Sequence, residues 1–297
     1  MLRLAVTTDA ETYERMQAPL RERDIAVEYV QPAERTYHLS PDADSLGDVD
    51  PICDVDVGFV YPSRVMEGGV VDALLSVPWI NDREAILRSR NKAEVLARLG
   101  RAGVPVPETT VVSNPVEEPD LIGSFEGIDG EVVVKPNSTT RGTGVARARD
   151  LDSFLGVCDY LELLHDYRAT GDKSFLVQEF LPDALDYRAM VVDGNFVGAV
   201  ERRLPEESLE AGQWKHNVHR GAEATGVDLP AELRELAERT AEVLDIPWLG
   251  VDLLVTEERA VVTETNARPT IDAVTKYEGG FYDALAALIR STADGER

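Results

Sequence analysis

Along the first eighty residues, short apolar runs alternate with segments of helical spacing. Leu2 to Thr7, Ile25 to Val30 and Val55 to Tyr61 read as strands, while Ala10 to Arg23 and Val65 to Leu75 read as helices. An acidic stretch rich in Pro and Asp separates the second strand from the third. Alternation of this kind predicts a small α/β domain on a parallel sheet. The first strand is not followed by a GxGxxG turn, which argues against a dinucleotide site there.

Beyond residue 80 the pattern changes. Asn81-Asp-Arg-Glu84 has the form of a capping box opening a short helix. Asn91 to Ala102 is a second helix, stopped by Gly103 ahead of Pro105 and Pro107. Glu131 to Pro136 is a strand, Asn137 to Gly144 a polar glycine-bearing loop, and Val145 to Arg149 a strand again. Leu151 to Tyr167 has helical periodicity and Phe175 to Leu181 that of a strand. Asp193-Gly194 is a hairpin turn between Tyr187 to Val192 and Phe196 to Arg202. An amphipathic helix from Pro230 to Leu244, a hairpin of Val251 to Val255 with Ala260 to Asn266, and a helix from Phe281 to Arg290 complete the order. The expected architecture is α/β followed by α+β, the second part built largely from antiparallel strands.

Composition narrows the function. The 297 residues carry 43% hydrophobic side chains, enough for a large core and two or three domains. The net charge of −25 comes from acids spread along the whole length. Nucleic acid is therefore not an expected partner. Dispersed acidity with arginine in place of lysine suggests solubility in high salt and a halophilic source. Two cysteines, Cys53 and Cys158, are too few for a disulfide framework. The opening residues read as a strand rather than a signal peptide, and no apolar run reaches the roughly 20 residues that span a bilayer. The expectation is a soluble cytoplasmic protein without a membrane partner.

Of thirty basic residues only five are lysine, and Lys92, Lys135, Lys215 and Lys276 fall in segments that read as one site; chance scatter is the alternative. Lysine is a compact point charge against phosphate, which arginine does not reproduce. Lys135 precedes Ser138-Thr-Thr-Arg-Gly-Thr-Gly144, whose hydroxyls and backbone N–H groups suit phosphate oxygens; a plain surface hairpin is the alternative. Glu264 and Asn266 are two apart on a strand and share a face. A turn centred on Glu258 would set Asp252 opposite Glu264, and two carboxylates with an amide oxygen suit Mg²⁺; a solvated acidic hairpin is the alternative. Glu179 and Phe180 end a strand in a position to hold adenine through the backbone, and Asp186 and Arg188 share a strand face suited to ribose and to a carboxylate or phosphate; an ordinary cross-strand charge pair is the alternative. Lys215 to Arg220 gathers cations and an amide as an anion-binding segment; a solvated loop is the alternative. Zinc at His216 and His219 would need ligands not evident nearby.

Taken in order, Ser89 to Lys92, Val133 to Pro136, Arg141 to Gly144, Val177 to Phe180, Asp186 to Arg188, Asn217 to Arg220, Gly250 to Asp252 and Glu264 to Asn266 resemble the ATP-grasp superfamily. The resemblance is strongest to its RimK-like amino-acid, or glutamate, ligases and runs from about Ser89 to the last helix. It implies an N-terminal Rossmann-like α/β domain (1–82) ahead of a two-subdomain ATP-grasp fold, with a central subdomain and glycine-loop lid (83–178) and a C-terminal subdomain holding the metal site (179–297).

The resemblance also implies roles. Lys92, Lys135, Thr140, Gly142, Gly144, Lys215 and Asn217 would face ATP phosphates; Glu179 and Phe180 would hold adenine, and Asp186 ribose. Asp252, Glu264 and Asn266 would bind two Mg²⁺, with Mn²⁺ as an alternative. Arg188 and Arg220 would lie over the reacting carboxylate. The implied chemistry turns a carboxylate and ATP into an acyl phosphate, which an amine attacks to give an amide or peptide bond, ADP and phosphate. Its substrates would be an amino acid such as glutamate and an acidic small molecule or peptide, and a homo-oligomer is compatible with it. A non-catalytic nucleotide-binding regulator and an ATP-grasp kinase or carboxylase are the alternatives. The family commonly carries a small residue and then Pro-Gly where this chain has Arg268-Pro-Thr270, which leaves substrate identity open.

Overall fold

A computed structural model of the chain describes residues 1–8, 10–30, 55–139, 142–165, 172–216, 218 and 221–296. The acidic Pro/Asp stretch with Cys53, and the sequence-predicted site residues Thr140, Asn217 and Arg220, lie outside the described residues, as do Arg141, His219 and Tyr167.

The first sheet comprises β1 (Leu2–Val6), β2 (Ile25–Tyr29), β3 (Val57–Val60) and β4 (Trp79–Asn81), all parallel in the order β2-β1-β3-β4. Parallel neighbours need long crossovers, and α1 (Ala10–Arg21) and α2 (Val65–Leu75) supply two of them. The linker helices α3 (Arg83–Arg90) and α4 (Lys92–Arg101) follow. Asp82, not Asn81, caps α3: its side chain accepts from Ala85 N at 2.8 Å. Asn81 instead ends β4, fully buried, and knits two distant segments. Its amide donates to Trp248 O and Ala267 O, each at 2.6 Å, and accepts from Trp248 N at 3.0 Å.

The central unit is an antiparallel sheet of β5 (Thr109–Ser113), β6 (Val132–Pro136), β7 (Ala146–Ala148) and β8 (Ser174–Glu179), ordered β5-β8-β6-β7. Helices α5 (Glu118–Glu126) and α6 (Leu151–His165) cover one face. The third sheet is also antiparallel, with β9 (Leu185–Val192), β10 (Asn195–Arg203), β11 (Glu223–Val227), β12 (Trp248–Val255) and β13 (Ala260–Asn266) ordered β11-β10-β9-β12-β13. A short helix α7 (Glu206–Glu210) follows β10; α8 (Ala231–Leu244) and α9 (Phe281–Ala293) pack against the third sheet. The sequence pattern missed β4, β5, β11 and α5, whose segments are short or exposed at sheet edges.

The cores divide unevenly. One apolar cluster runs from Leu4 and Phe59 of the first sheet through Trp248 to Phe281 and Leu285 of α9. Phe59 and Phe281 flank Trp248 at ring distances of 6.1 and 6.0 Å. The central sheet has its own cluster around Phe154, Phe175, Val132 and Val134. The first and third sheets thus share one interior while the central sheet keeps another. A cleft of about 1640 Å³ opens where they meet.

Candidate active site

Two register shifts decide which side chains reach the cleft. The Asp193-Gly194 turn pairs Asn195 with Val192 and Phe196 with Val191, a register that would set Glu201 opposite Asp186. A one-residue shift between Phe196 and Gly198 sets Arg202 there instead. Gly198 has φ of +146°, and a Cβ at that position would come within 2.6 Å of Lys276 O. The β12–β13 hairpin repeats the device. Val255 pairs with Ala260, so Asp252 would face Thr263, but a shift at Thr263 brings Glu264 opposite Asp252. The expected pairing holds through this shift and not through a turn centred on Glu258.

Directly paired residues share a sheet face, so Arg202, Asp186, Arg188, Asp252 and Glu264 stand on one face spanning four strands. Arg188 grips Asp252 through two bonds of 2.7 and 2.8 Å. Arg202 donates to Asp186 at 2.9 Å and lies 3.2 Å from the second Asp252 oxygen. Sequence reading missed Arg202, because the shift at Gly198 was not visible in the pattern. Burial would raise the Asp252 carboxyl, but Arg188 and Arg202 outweigh it and hold it at about 2. At Asp186 burial prevails over Arg202 and pushes the carboxyl up to about 6. Arg188 therefore engages an acid of its own sheet where the resemblance had it over a substrate carboxylate.

Two lysines reach the hairpin from other elements, β6 and α4. Lys135 on β6 donates to Gln178 Oε1 at 2.9 Å and to Thr263 O at 3.4 Å. Burial pulls its ammonium down to about 8, Glu264 opposes that shift, and Lys92 adds to it. Lys92, buried at the start of α4, donates to Thr139 O and lies 3.5 Å from Glu264 Oε1. It joins the glycine loop to β13. Lys215 donates to Val145 O on the far side of that loop. Lys276 pairs with Asp272 at 2.6 Å at the cleft margin.

Gly142 lines the cleft but Gly144 does not. At Gly144 φ is +76°, and a Cβ would fall 2.8 Å from Pro136 Cγ, so this glycine lets the loop fold back on β6. Glu179 and Phe180 also line the cleft. Their N–H groups, expected to meet adenine, donate to Glu108 O at 3.0 Å and Glu131 O at 2.9 Å. The Phe180 ring lies 3.7 Å beneath the Arg147 guanidinium carbon and 5.7 Å from Trp214, edge to face. Neither Arg147 nor Trp214 was singled out by sequence, since contacts across 33 or 34 positions leave no local signature.

Asp252, Glu264 and Asn266 suit a divalent cation in donor type: all are oxygen donors, and all line the cleft from one hairpin. In this structure protein cations hold both carboxylates, and Asn266 Oδ1 accepts from Arg268 N at 2.9 Å. Among the described residues no three His, Cys, Asp or Glu converge as a metal cluster. By donor type the three residues are compatible with a divalent cation.

Comparison with known proteins identifies the family. The model of the RimK-like ATP-grasp domain matches residues 89–290. The ribosomal protein bS6–L-glutamate ligase of Escherichia coli O139:H28 is 32% identical over 213 residues, 71% of this chain. The chain spans 66% of that relative's length. A RimK domain ATP-grasp protein from Sphaerobacter thermophilus has the same fold, with 24% identity and a TM-score of 0.64 across 98% of each chain. A D-alanine–D-alanine ligase from Bacillus anthracis complexed with ATP superposes on all of this chain and 98% of its own, with 16% identity and a TM-score of 0.68. With a glycine loop and two lysines facing an acidic hairpin across the cleft, and a family match over residues 89–290, this chain belongs to the RimK-like ATP-grasp family.

Proposed function

We propose that the protein is an ATP-dependent carboxylate–amine ligase that joins an amino acid, glutamate first among candidates, to an acidic small molecule or peptide. The observation that carries this reading is the opposition of Lys92 and Lys135 to the Asp252–Glu264 pair across one cleft. Phosphoryl transfer depends mainly on positioning and on neutralising phosphate oxygens. Lysines from β6 and α4 and carboxylates suited to divalent metal on the β12–β13 hairpin supply both. Glutamate is favoured because the similar Escherichia coli protein is named a glutamate ligase.

In this reading Lys92, Lys135 and Lys215 orient the ATP phosphates, with Gly142 and, outside the described residues, Thr140 and Asn217 completing the contacts. Phe180 and the following Leu181 flank the base, and Asp186 takes the ribose. Asp252, Glu264 and Asn266 hold Mg²⁺, in the number of two, which would neutralise phosphate charge. Arg188, released from Asp252, and Arg220 hold the reacting carboxylate, and closure of the 137–145 loop excludes water from the activated acyl group.

The wider expectations belong to the same proposal: a Rossmann-like N-terminal unit of residues 1–82, subdomain boundaries near 82 and 178, and a cytoplasmic setting at high salt. Support comes from the all-parallel first sheet, the net charge of −25, and the fact that among the described residues no helix is long and apolar enough to cross a membrane. Screening ADP release across amino acids with acidic acceptors, in molar KCl, tests the proposal. Release that requires both a carboxylate and an amine supports it, and release indifferent to any amine ends it.

A further inference from the structure

The cleft continues past the lysines to the carboxyl ends of the parallel strands β1 and β3, where open α/β sheets bind ligands. Thr7 Oγ1 donates to Val60 O, which fastens the β1 end to the β3 end. The loop after β3 is then clasped from two sides. Arg268 donates to Tyr61 O, and Arg90 to Ser63 O at 3.3 Å. Arg64, next in the loop, is 61% exposed at its side chain, and it too lines the cleft. Arg64 and Arg90 therefore flank one short loop, and Arg90 stands two residues before Lys92.

In a chain of net charge −25, a basic patch at this spot asks for a reason. The neighbouring cations Arg15 and Lys276 are matched locally: Arg15 by Glu11 and by Asp272 at 3.5 Å, Lys276 by Asp272 at 2.6 Å. Arg90 forms no ion pair with a described residue; the bond it makes is to a neutral carbonyl. Arg64 has one acid, Glu67, at 3.1 Å and half exposed to solvent, a contact that contributes little. On the β1 side of the same end of the cleft, the Thr8 hydroxyl, one residue beyond Thr7, is buried without a hydrogen-bond partner among the described residues, and Thr8 also lines the cleft. Among the described residues these two guanidiniums have donors to spare and the Thr8 hydroxyl has no partner, a set that matches the oxygens of a carboxylate.

We propose that Arg64 and Arg90, with Thr8, form a subsite for the non-reacting carboxylate of a dicarboxylic amino-acid substrate. This rests on the ligase reading and names the residues that make an acidic substrate preferred over its neutral amide. Arg90 bonds the loop at Ser63 and stands two residues before Lys92, which puts the subsite at the end of the cleft that Lys92 also lines. Arg64 reports specificity most cleanly, because its exposed side chain can be removed without disturbing the core.

The test is calorimetric titration of L-glutamate and of L-glutamine into the full chain with a non-hydrolysable ATP analogue and Mg²⁺. It compares wild type with Arg64→Ala, Arg90→Ala and Arg90→Lys, and ATP-analogue affinity is measured in parallel. The expected result is an affinity for glutamate at least about tenfold lower in both alanine variants. Glutamine binding and ATP-analogue affinity would be unchanged, and Arg90→Lys would recover part of the loss. Equal weakening of glutamate and glutamine, or no weakening of either, overturns the subsite. So does a wild type that binds glutamine as tightly as glutamate. Failure of the ligase reading looks different: glutamate binding retains its arginine dependence while ADP release never requires an amine.

Discussion

Arg188 and Asp252 face each other across β9 and β12, and the guanidinium closes on both carboxylate oxygens at 2.7 and 2.8 Å. In the proposed reading the same carboxylate holds a divalent metal, and Arg188 stands where that ion would bind. In that reading, loading the site with metal moves Arg188 and frees it for substrate. Arg188→Ala is therefore expected to tighten Mn²⁺ binding to the nucleotide-free protein by about threefold to tenfold, while turnover falls by about a hundredfold. Electron paramagnetic resonance of free Mn²⁺ reads the first effect. Weaker Mn²⁺ binding in the variant would show that Arg188 organises Asp252 for the metal rather than competing with it.

Lys135 gives a pH dependence with a definite sign. Burial pulls its ammonium down to about 8, so the charge is present at pH 7 and is lost above about 8. In the proposed role, phosphate binds the charged form and raises its pKa, so above pH 8 nucleotide binding would take up a proton. Affinity for ATP should then fall with rising pH, by up to about tenfold per unit. Lys135→Arg keeps its charge throughout and should flatten the profile. Titration calorimetry between neutral and alkaline pH would reveal a flat wild-type profile if Lys135 has no phosphate contact.

Glu264 stands opposite Asp252 only because of the register shift at Thr263. Its side chain is 38% exposed in the cleft and contributes little to the core. Glu264→Gln is expected to abolish ADP production while moving the melting temperature by no more than about 2 °C. Unchanged ADP production would remove Glu264 from the metal site.

How much of this was legible in the sequence depends on the range of the signal. Local signals worked. The Asp193-Gly194 turn has both residues at positive φ, +49° and +76°, as a two-residue hairpin requires. The α4 cap Asn91 accepts from Glu94 N at 3.1 Å. Signals that depend on a neighbouring strand did not work. Arg202 was overlooked beside Glu201 and Arg203 because only the shift before Gly198 decides which of them meets Asp186. The exposed edge strands β5 and β11 lack a clean alternation, and Asn81 read as a helix cap although its partners lie more than 160 positions away. Arg64 and Arg90 were not read as a pair, since the fold alone brings them to one loop.

Asn81 also makes a stability prediction. Its side chain satisfies Trp248 O, Trp248 N and Ala267 O, all buried with it. Asn81→Ala leaves these groups without that partner and should cost about 2–4 kcal/mol. Denaturant unfolding monitored by tryptophan fluorescence checks this, and a loss below about 0.5 kcal/mol would contradict it.

The central claim is that this cleft couples ATP cleavage to joining a carboxylate and an amine. Its most direct measurement is ADP release by the wild-type protein with Mg²⁺ and ATP, given the carboxylate alone, the amine alone, or both, with the product mass determined in parallel. The account predicts sustained ADP release only with both substrates, matched one-to-one by a new amide. Sustained ADP release with the carboxylate alone, and no amide formed when the amine is added, would contradict it.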